Sequence, residues 1–264
     1  MVAKALTIAG SDSGGGAGIQ ADLKAFSAMG VYGASVITAI TAQNTQAVTA
    51  VYAIPDDVVA KQIAAVLDDI DISAIKIGML GTPSLIQAVA DGIRGFSGPV
   101  VLDPVMVAKS GDALLQDSAI DALRRILVPR ADLLTPNLPE AAKLLDQPAD
   151  QTADVAAQAD ALLALGAKAV LMKGGHAEAD TCTDLLVQPD QTNTFSATRL
   201  ATQNTHGTGC SYSSAIAALL AKGATLQDAV ARAHEWLHGA ITHADNLNVG
   251  HGHGPVHHFH RLWD

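Results

Sequence analysis

The residues best suited to chemistry form the run Asn204-Thr205-His206-Gly207-Thr208-Gly209-Cys210, which leads into an apolar, alanine-rich segment. That segment predicts a helix, and a helix start offers unpaired N–H groups and the positive end of the peptide dipoles. Glycines there allow a bulky anion to approach those N–H groups. A thiol in the first turn is expected to have a lowered pKa and to act as a base or nucleophile.

We therefore interpret this run as a site that receives a phosphoryl group in transfer. Taken alone, the run fits a simpler interpretation, in which the glycines form a turn and Cys210 is a small buried side chain. The choice between the two depends on the rest of the chain.

A second glycine-rich loop, Gly10 to Gly18, follows a predicted strand at Ala5–Ala9 and precedes a predicted helix. No Gly-Lys-Ser/Thr closes this loop, so it is not a Walker A motif. Residues 16–21 fit the looser G-x-G-x-x-A pattern, but no Asp or Glu occurs between Asp22 and Asp56 to bind a ribose. The loop is interpreted as a wall that lets a flat substrate lie close to the backbone, the alternative being a plain flexible turn.

Two polar side chains follow predicted strands at the end where open α/β sheets bind ligands. Gln43 comes after the strand Val31–Ile40, and its amide suits the edge of a heterocycle. Lys173 comes after the strand Ala169–Met172, beside two glycines, and suits a phosphate. The simpler alternatives are a loop-capping glutamine and a surface lysine.

Asn137 and Glu140 have the spacing of a capping box for a predicted helix at Ala141–Leu145. The same location also suits a carboxylate near a nucleotide-bound Mg²⁺, and the sequence leaves the two interpretations about even. The loop 105–112 mixes apolar residues with Lys109 and a glycine, which fits either a lid that excludes water or an ordinary connection.

Two histidine patterns suggest metal chemistry that we consider unsupported. His234-Glu235-Trp236-Leu237-His238 matches the H-E-x-x-H motif of zinc hydrolases. It falls in a predicted final helix, Leu226–Ala244, which we expect to lie far from the glycine-rich loops. The tail contains five further histidines, His251, His253, His257, His258 and His260, and we expect it to pack through its apolar residues.

The composition excludes several classes of function. A net charge of −10 and an aromatic content of 3% disfavour a nucleic-acid-binding surface. Two cysteines form no disulfide framework, and no apolar run approaches the roughly 18 residues of a membrane span. With 49% hydrophobic and 16% charged residues, the chain suits a well-buried cytoplasmic protein without membrane or nucleic-acid partners.

Predicted strands and helices alternate along almost the whole chain, without a linker or repeat. This alternation predicts one α/β domain over residues 1–264, with helices on both faces of a mostly parallel sheet. The remaining predicted elements are helices at Asp56–Asp69, Pro83–Ile93, Ala119–Leu127 and Thr152–Leu165, strands at Ser73–Ile77, Gly98–Leu102 and Asp132–Thr135, and a late hairpin of Asp184–Val187 with Thr194–Ala197.

The motifs together resemble the hydroxymethylpyrimidine/phosphomethylpyrimidine kinases of thiamine biosynthesis, which have the ribokinase-like three-layer αβα fold. The resemblance covers nearly the full length. It is carried by the Gly10–Gly18 loop with the residues after it, Thr41–Thr45, Lys76–Leu80, Val105–Gly111, Thr135–Ala141, Met172–His176, Asn204–Cys210 and the terminal Gly252–His260.

The resemblance implies two ATP-dependent phosphorylations at one site, of 4-amino-5-hydroxymethyl-2-methylpyrimidine and then of its monophosphate. It assigns the pyrimidine to Gln43, Ala17, Gly10, Asp22, Met79 and Val105, and ATP to Lys173, Lys109, Asn204 and Thr208. Gly207, Thr208, Gly209 and Cys210 would form the anion hole. Glu140, Asp103 and Asn137 would order Mg²⁺. Adenine would lie between the 173–176 loop and the segment before Gly207, and relatives suggest a homodimer.

Three questions stay open at the level of the sequence. Sugar kinases of the superfamily have Asp where this chain has Cys210, so the thiolate either takes the proton of the acceptor alcohol or only shapes the anion hole. A pyridoxal or pyridoxine kinase shares the fold and is the closest alternative function. A non-catalytic ligand-binding sensor is a further alternative, against which Glu140, Lys173 and residues 207–210 argue.

Overall fold

The computed structural model describes residues 2–106, 115, 117–148, 154–174 and 180–263. Its centre is a sheet with the strand order β3-β2-β1-β4-β5-β6-β7-β8-β9. The strands are β1 (Lys4–Ser11), β2 (Tyr32–Gln43), β3 (Val48–Ala53), β4 (Ala74–Ile77), β5 (Val100–Leu102), β6 (Leu133–Leu134), β7 (Val170–Met172), β8 (Thr181–Gln188) and β9 (Gln191–Thr198).

The strands from β2 to β7 pair in parallel through β1, β4, β5 and β6. Antiparallel strands extend both sides, β3 on β2 and then β8 and β9 on β7. All four residues of β4 and all three of β5 are buried, as expected for parallel strands covered on both faces. The predicted α/β class with a mostly parallel sheet is confirmed.

The helices form the two outer layers. They are α1 (Gly18–Ala28), α2 (Asp56–Leu67), α3 (Pro83–Gly92), α4 (Asp117–Ala122), α5 (Leu138–Leu144), α6 (Val155–Ala164), α7 (Thr208–Ala221) and α8 (Leu226–Thr242). One core cluster joins the sheet to α2, α3, α5 and α6, and a second joins its other face to α1, α7 and α8. The three-layer arrangement is therefore also confirmed.

Several element boundaries differ from the predictions. The strand β3 was missed, because all its residues but Val48 are exposed, so it shows no alternation of buried and exposed positions, and it pairs only at an edge. The helix predicted over Ala119–Leu127 is the short α4 followed by a π-helical turn, Leu123–Leu127. The hairpin is longer at both ends than predicted, and the start of the predicted helix Thr152–Leu165 lies outside the described residues.

Among the described residues, no helix has the length and apolar character needed to cross a membrane.

Candidate active site

A cavity of about 890 Å³ opens at the carboxyl ends of the parallel strands, within the size range of ligand sites. Open α/β sheets bind their ligands at this end, because loops and helix starts converge there. The cavity brings together most of the residues that the sequence singled out: Gly10, Ala17, Gln43, Met79, Asp103, Val105, Asn137, Glu140, Lys173, Gly207, Thr208, Gly209 and Cys210.

The turn at Gly207 places the start of α7 against the cavity. Gly207 has φ of +76°, and a Cβ at this position would lie 1.8 Å from the carbonyl oxygen of Gly16. Only glycine combines this left-handed conformation with such a close approach. The Thr208 hydroxyl donates to the carbonyl of Thr205 at 2.7 Å, which fixes the turn. The two glycine-rich loops of the sequence therefore pack directly on each other.

Cys210 lines the cavity, but its thiol differs from the expected one. Burial raises the pKa of the Cys210 thiol to about 11, and the carboxylates of Asp22 and Asp103 act in the same direction against the attraction of Lys76. The expectation of a lowered pKa is therefore wrong for the ligand-free protein. The position at a helix start does not outweigh the loss of solvent and the two nearby negative charges.

Lys173 lies between two carboxylates at the cavity wall. Its Nζ donates to Asp103 Oδ1 at 2.8 Å and lies 4.0 Å from Glu140 Oε2. A Cβ on Gly209 would lie 3.2 Å from this Nζ, so the ammonium group is adjacent to the start of α7. Although burial opposes the charge, Asp103 and Glu140 hold the pKa of Lys173 above its usual value. Lys173 is therefore a fixed cation beside the predicted anion hole.

The structure confirms the capping-box interpretation of Glu140. Its Oε2 accepts from Asn137 N–H at 2.8 Å and Asn137 Oδ1 accepts from Glu140 N–H at 2.8 Å, so the capping box of α5 is present. Glu140 also lines the cavity. Burial raises the pKa of its carboxyl to about 7, Asp103 adds to this, and Lys173 opposes it.

The donor set at this wall fits Mg²⁺. The described residues contain no group of three or more His, Cys, Asp or Glu side chains that could hold a metal by themselves. Mg²⁺, however, is usually bound through one or two carboxylates together with phosphates and water. Asp103 and Glu140 supply carboxylate oxygens of this kind in the same cavity.

The other end of the cavity is lined by Gly10, Ala17, Gln43, Met79 and Val105, which the resemblance assigned to the heterocycle.

Two residues that the assignments omitted organise this end. Asp12 accepts from the N–H groups of Gly14, Gly16 and Ala17 at 2.8 to 3.0 Å. It also lies 2.8 Å from the Nε2 of His206. His206 stands inside the Asn204–Cys210 run, so the sequence pointed to its location but not to its partner.

The structure does not bring Asp22 and Asn204, assigned to the pyrimidine and to ATP, to the cavity. Asp22 is fully buried, and its oxygens bind Lys76, Thr7 and Ser214 at 2.6 to 2.9 Å. No oxygen is left to face a substrate.

The amide of Asn204 donates to Asp245 at 2.7 Å and accepts from Gly254 N–H at 2.9 Å. Neither Asp22 nor Asn204 lines the cavity. Lys109, assigned to ATP, lies outside the described residues.

The H-E-x-x-H helix lies closer to the site than expected. His234 and His238, with Leu237 and Ile241 of α8, line the end of the cavity beside residues 197–202. His234 Nε2 lies 4.0 Å from Oδ2 of Asp184. The other carboxylate oxygen of Asp184, Oδ1, accepts from Gly174 N–H at 2.9 Å. The expected distance from the site was wrong, because α8 packs beside α7 and β9.

The histidines of the tail are partly buried rather than gathered at a metal. His257 and His258 are buried, whereas His251 and His253 are exposed. His258 Nε2 lies 2.8 Å from the hydroxyl of Ser211 in the first turn of α7, and burial lowers the pKa of His258 to about 3. The tail therefore packs against the first turn of α7 as an uncharged structural element.

The family model of phosphomethylpyrimidine kinases matches residues 12–257. The chain belongs to this family. The hydroxymethylpyrimidine/phosphomethylpyrimidine kinase of Rhizobium meliloti is 56% identical over 100% of this chain and 99% of its own length. The Escherichia coli enzyme of the same name is 52% identical over 98% of both chains.

Solved structures extend the similarity to a neighbouring activity. An ADP complex of Bacillus subtilis pyridoxal kinase superposes with a TM-score of 0.91 at 38% identity, covering 100% of both chains. The phosphomethylpyrimidine kinase of Clostridium difficile superposes with a TM-score of 0.80 at 42% identity, covering 90% of this chain and 99% of its own. The family shares its fold with kinases that act on a different ring.

Proposed function

We propose that this chain transfers the terminal phosphoryl group of ATP to 4-amino-5-hydroxymethyl-2-methylpyrimidine and then to the resulting monophosphate. The observation that carries the proposal is one cavity that is lined both by an amide with apolar walls and by a lysine, two carboxylates and a helix start. Family membership over 12–257 supplies the substrate class.

The heterocycle lies at the Gln43 end in this proposal. Met79, Val105 and Ala17 contact its faces, and the amide of Gln43 pairs with the polar edge of the ring. The hydroxymethyl group then points along the cavity toward Gly207–Cys210. ATP occupies the opposite end, with its phosphates at Lys173 and Thr208 and its adenine beside residues 197–202 and α8.

Phosphoryl transfer requires alignment and neutralisation of spreading negative charge. The N–H groups at the start of α7 bind the transferred group, and Lys173 exchanges its bond with Asp103 for a phosphate oxygen. Asp103 and Glu140, with Asn137 holding Glu140 in place, would hold Mg²⁺, and its charge would offset that of the phosphates. Each of these groups is already held by the fold before ligands arrive.

Cys210 accepts the proton of the substrate hydroxyl in this proposal. The resting group is a thiol, because its pKa is about 11. The thiol first releases its own proton to solvent, and the thiolate then accepts the proton of the substrate hydroxyl.

We further propose that the protein acts as a homodimer in the cytoplasm, where ATP is available. The sheet edge at β2 and β3 exposes Tyr32, Ile40, Val51 and Tyr52, which is apolar surface of the kind that a second copy covers. Light scattering on the intact protein measures the assembly, and a monomer would contradict this part of the proposal.

The alternative substrate is pyridoxine or pyridoxal, and the similarity to the Bacillus subtilis pyridoxal kinase structure supports this alternative. Parallel measurement of kcat/KM on hydroxymethylpyrimidine and pyridoxine decides between the rings. We expect a clear preference for the pyrimidine, and a preference for pyridoxine would overturn the assignment.

A further inference from the structure

The amide of Gln43 has two side-chain neighbours whose hydrogens determine which way it faces. Its Nε2 is placed 3.3 Å from His206 Nε2, and its Oε1 is placed 3.2 Å from Thr41 Oγ1. The oxygen and nitrogen of an amide have nearly the same shape, so the hydrogen-bond network has to assign them.

His206 Nε2 offers Gln43 no lone pair that could accept a hydrogen bond. The 2.8 Å contact between His206 Nε2 and Asp12 Oδ2 requires a proton between them. Although burial opposes ionisation, hydrogen bonds from His206 and from Ala17 N–H hold the pKa of Asp12 below its usual value. Asp12 is therefore a carboxylate, and the proton is on His206 Nε2. An amide N–H₂ opposite this N–H would place two donors against each other.

Thr41 faces Gln43 as an acceptor. Its Oγ1 has one hydrogen and two acceptor neighbours, the carbonyl oxygen of Ser11 at 2.8 Å and Gln43 Oε1 at 3.2 Å. The hydrogen belongs to the shorter bond to Ser11. A hydroxyl that has donated its hydrogen offers lone pairs, and these suit an N–H rather than a carbonyl oxygen.

We propose that Asp12 and His206 fix the Gln43 amide with its oxygen toward His206 and its nitrogen toward Thr41. His206 is in this sense a specificity-positioning residue. The amide then offers a substrate its remaining N–H on the Thr41 side and its remaining lone pair on the His206 side. This inference rests on the proposed function for the identity of the ring.

The orientation of the Gln43 amide determines which ring binds well and which way round the ring lies. A 4-aminopyrimidine places an amino donor next to a ring-nitrogen acceptor, so it pairs with both ends of the amide when its amino group lies on the His206 side. A ring that carries a hydroxyl in place of this amino group and ring nitrogen pairs less well with the amide. An amide that was free to rotate would accept the ring either way round and would discriminate less between different rings.

The first test uses the wild-type protein and needs no substrate. In ¹⁵N-labelled protein, the Gln43 Nε2 protons are expected to show stronger NOE cross-peaks to the Thr41 methyl group than to the His206 ring protons. The reverse order of intensities would overturn the inference, whatever the enzyme phosphorylates.

The second test asks whether His206 acts through Gln43. We expect His206→Phe to raise KM for the pyrimidine about tenfold, as loss of a charge-assisted hydrogen-bond system does, with KM for ATP within about twofold. His206→Gln, which keeps an N–H donor, should recover part of the loss. In a Gln43→Ala background His206→Phe should change the pyrimidine KM less than about twofold.

The outcomes separate the two proposals. Additive losses in the double variant, or equal effects on both substrates, would show that His206 only supports the fold and would overturn the inference. Thr41→Val removes the acceptor at the nitrogen end of the Gln43 amide. Combined with Gln43→Ala, it provides a second double-mutant cycle if His206→Phe does not fold. Absence of pyrimidine kinase activity in the wild type would instead refute the proposed function, and the NOE result would still decide the amide orientation.

Discussion

At the scale of single residues, the site is a set of charges whose protonation depends on burial. Lys173 Nζ lies 2.8 Å from the carboxylate of Asp103 and 4.0 Å from that of Glu140. Like charges and loss of solvent push these groups toward neutrality, whereas opposite charges keep them ionised. The resulting pKa values predict how activity varies with pH.

Glu140 predicts a proton-linked Mg²⁺ site. Its pKa is raised from 4.5 to about 7, so its protonated form contributes stability below pH 4.5 that is lost as the pH rises through about 7. Mg²⁺ requires the carboxylate, so the apparent Kd for Mg²⁺ should rise as the pH falls from 8 to 6. Titration calorimetry of Mg²⁺ with an unreactive ATP analogue measures this, together with proton release near pH 7.

Glu140→Gln is the control for this prediction. It should bind Mg²⁺ more weakly at every pH and lose the proton release. An affinity in the wild type that is independent of pH would contradict the assigned role.

Cys210 predicts an alkaline limb in the rate. A base with a pKa of about 11 in the free protein is mostly protonated at pH 8, so kcat/KM should continue to rise between pH 8 and pH 10. Cys210→Ala should have a much lower kcat without this rise, and Cys210→Asp should restore part of it at neutral pH. If Cys210→Ala loses little kcat, the residue only shapes the anion hole.

Asp22 predicts a loss of stability rather than of substrate affinity. Its ion pair with Lys76 is fully buried, with both side chains 0% exposed. Removing one partner of such a pair leaves a buried charge uncompensated and costs about 3–5 kcal/mol. Asp22→Asn should lower the free energy of unfolding in urea by this amount, and KM for the pyrimidine in the folded fraction should stay within about twofold. A large rise in KM with unchanged stability would restore the original assignment.

At the scale of elements, the capping role of a residue can be distinguished from a role in ligand binding by comparing it with a second helix cap. Asn137 caps α5 and holds Glu140, whereas Thr82 caps α3 by accepting from Leu85 N–H at 3.2 Å and does not line the cavity. Loss of either cap should cost about 1 kcal/mol of stability.

The two caps should differ in their effect on catalysis. Asn137→Ala should also weaken Mg²⁺ binding, because Glu140 is no longer held, while Thr82→Ala should leave the kinetics unchanged. Unfolding in urea and initial rates at limiting Mg²⁺ measure the two effects. Equal kinetics in both variants would refute the second role of the α5 cap.

The elements that sequence reasoning missed are those that depend on pairing partners. The strand β3 exists because β2 offers an edge, and only one of its six residues, Val48, is not exposed. The approach of α8 to the cavity depends on how it packs against α7, which its own amphipathic pattern does not contain. The parallel strands were predictable because burial on both faces leaves continuous apolar runs.

At the scale of the whole molecule, the sheet order gathers residues that are far apart in the chain. Lys173 meets Asp103 across 70 positions, and His206 meets Asp12 across 194. The locations of Gln43, Glu140 and Lys173 could be predicted, since each follows a recognisable strand. The burial of Asp22 and the raised pKa of Cys210 could not, because both depend on neighbours contributed by other segments. The single domain over residues 1–264 stays a prediction.

The most direct test of the central claim is a coupled assay of ADP release with and without the pyrimidine and its monophosphate. Turnover of ATP should be low alone and should rise strongly with each of the two substrates, giving the monophosphate and the diphosphate in turn. Tight pyrimidine binding without ATP turnover, or turnover with pyridoxine in preference to the pyrimidine, would contradict it.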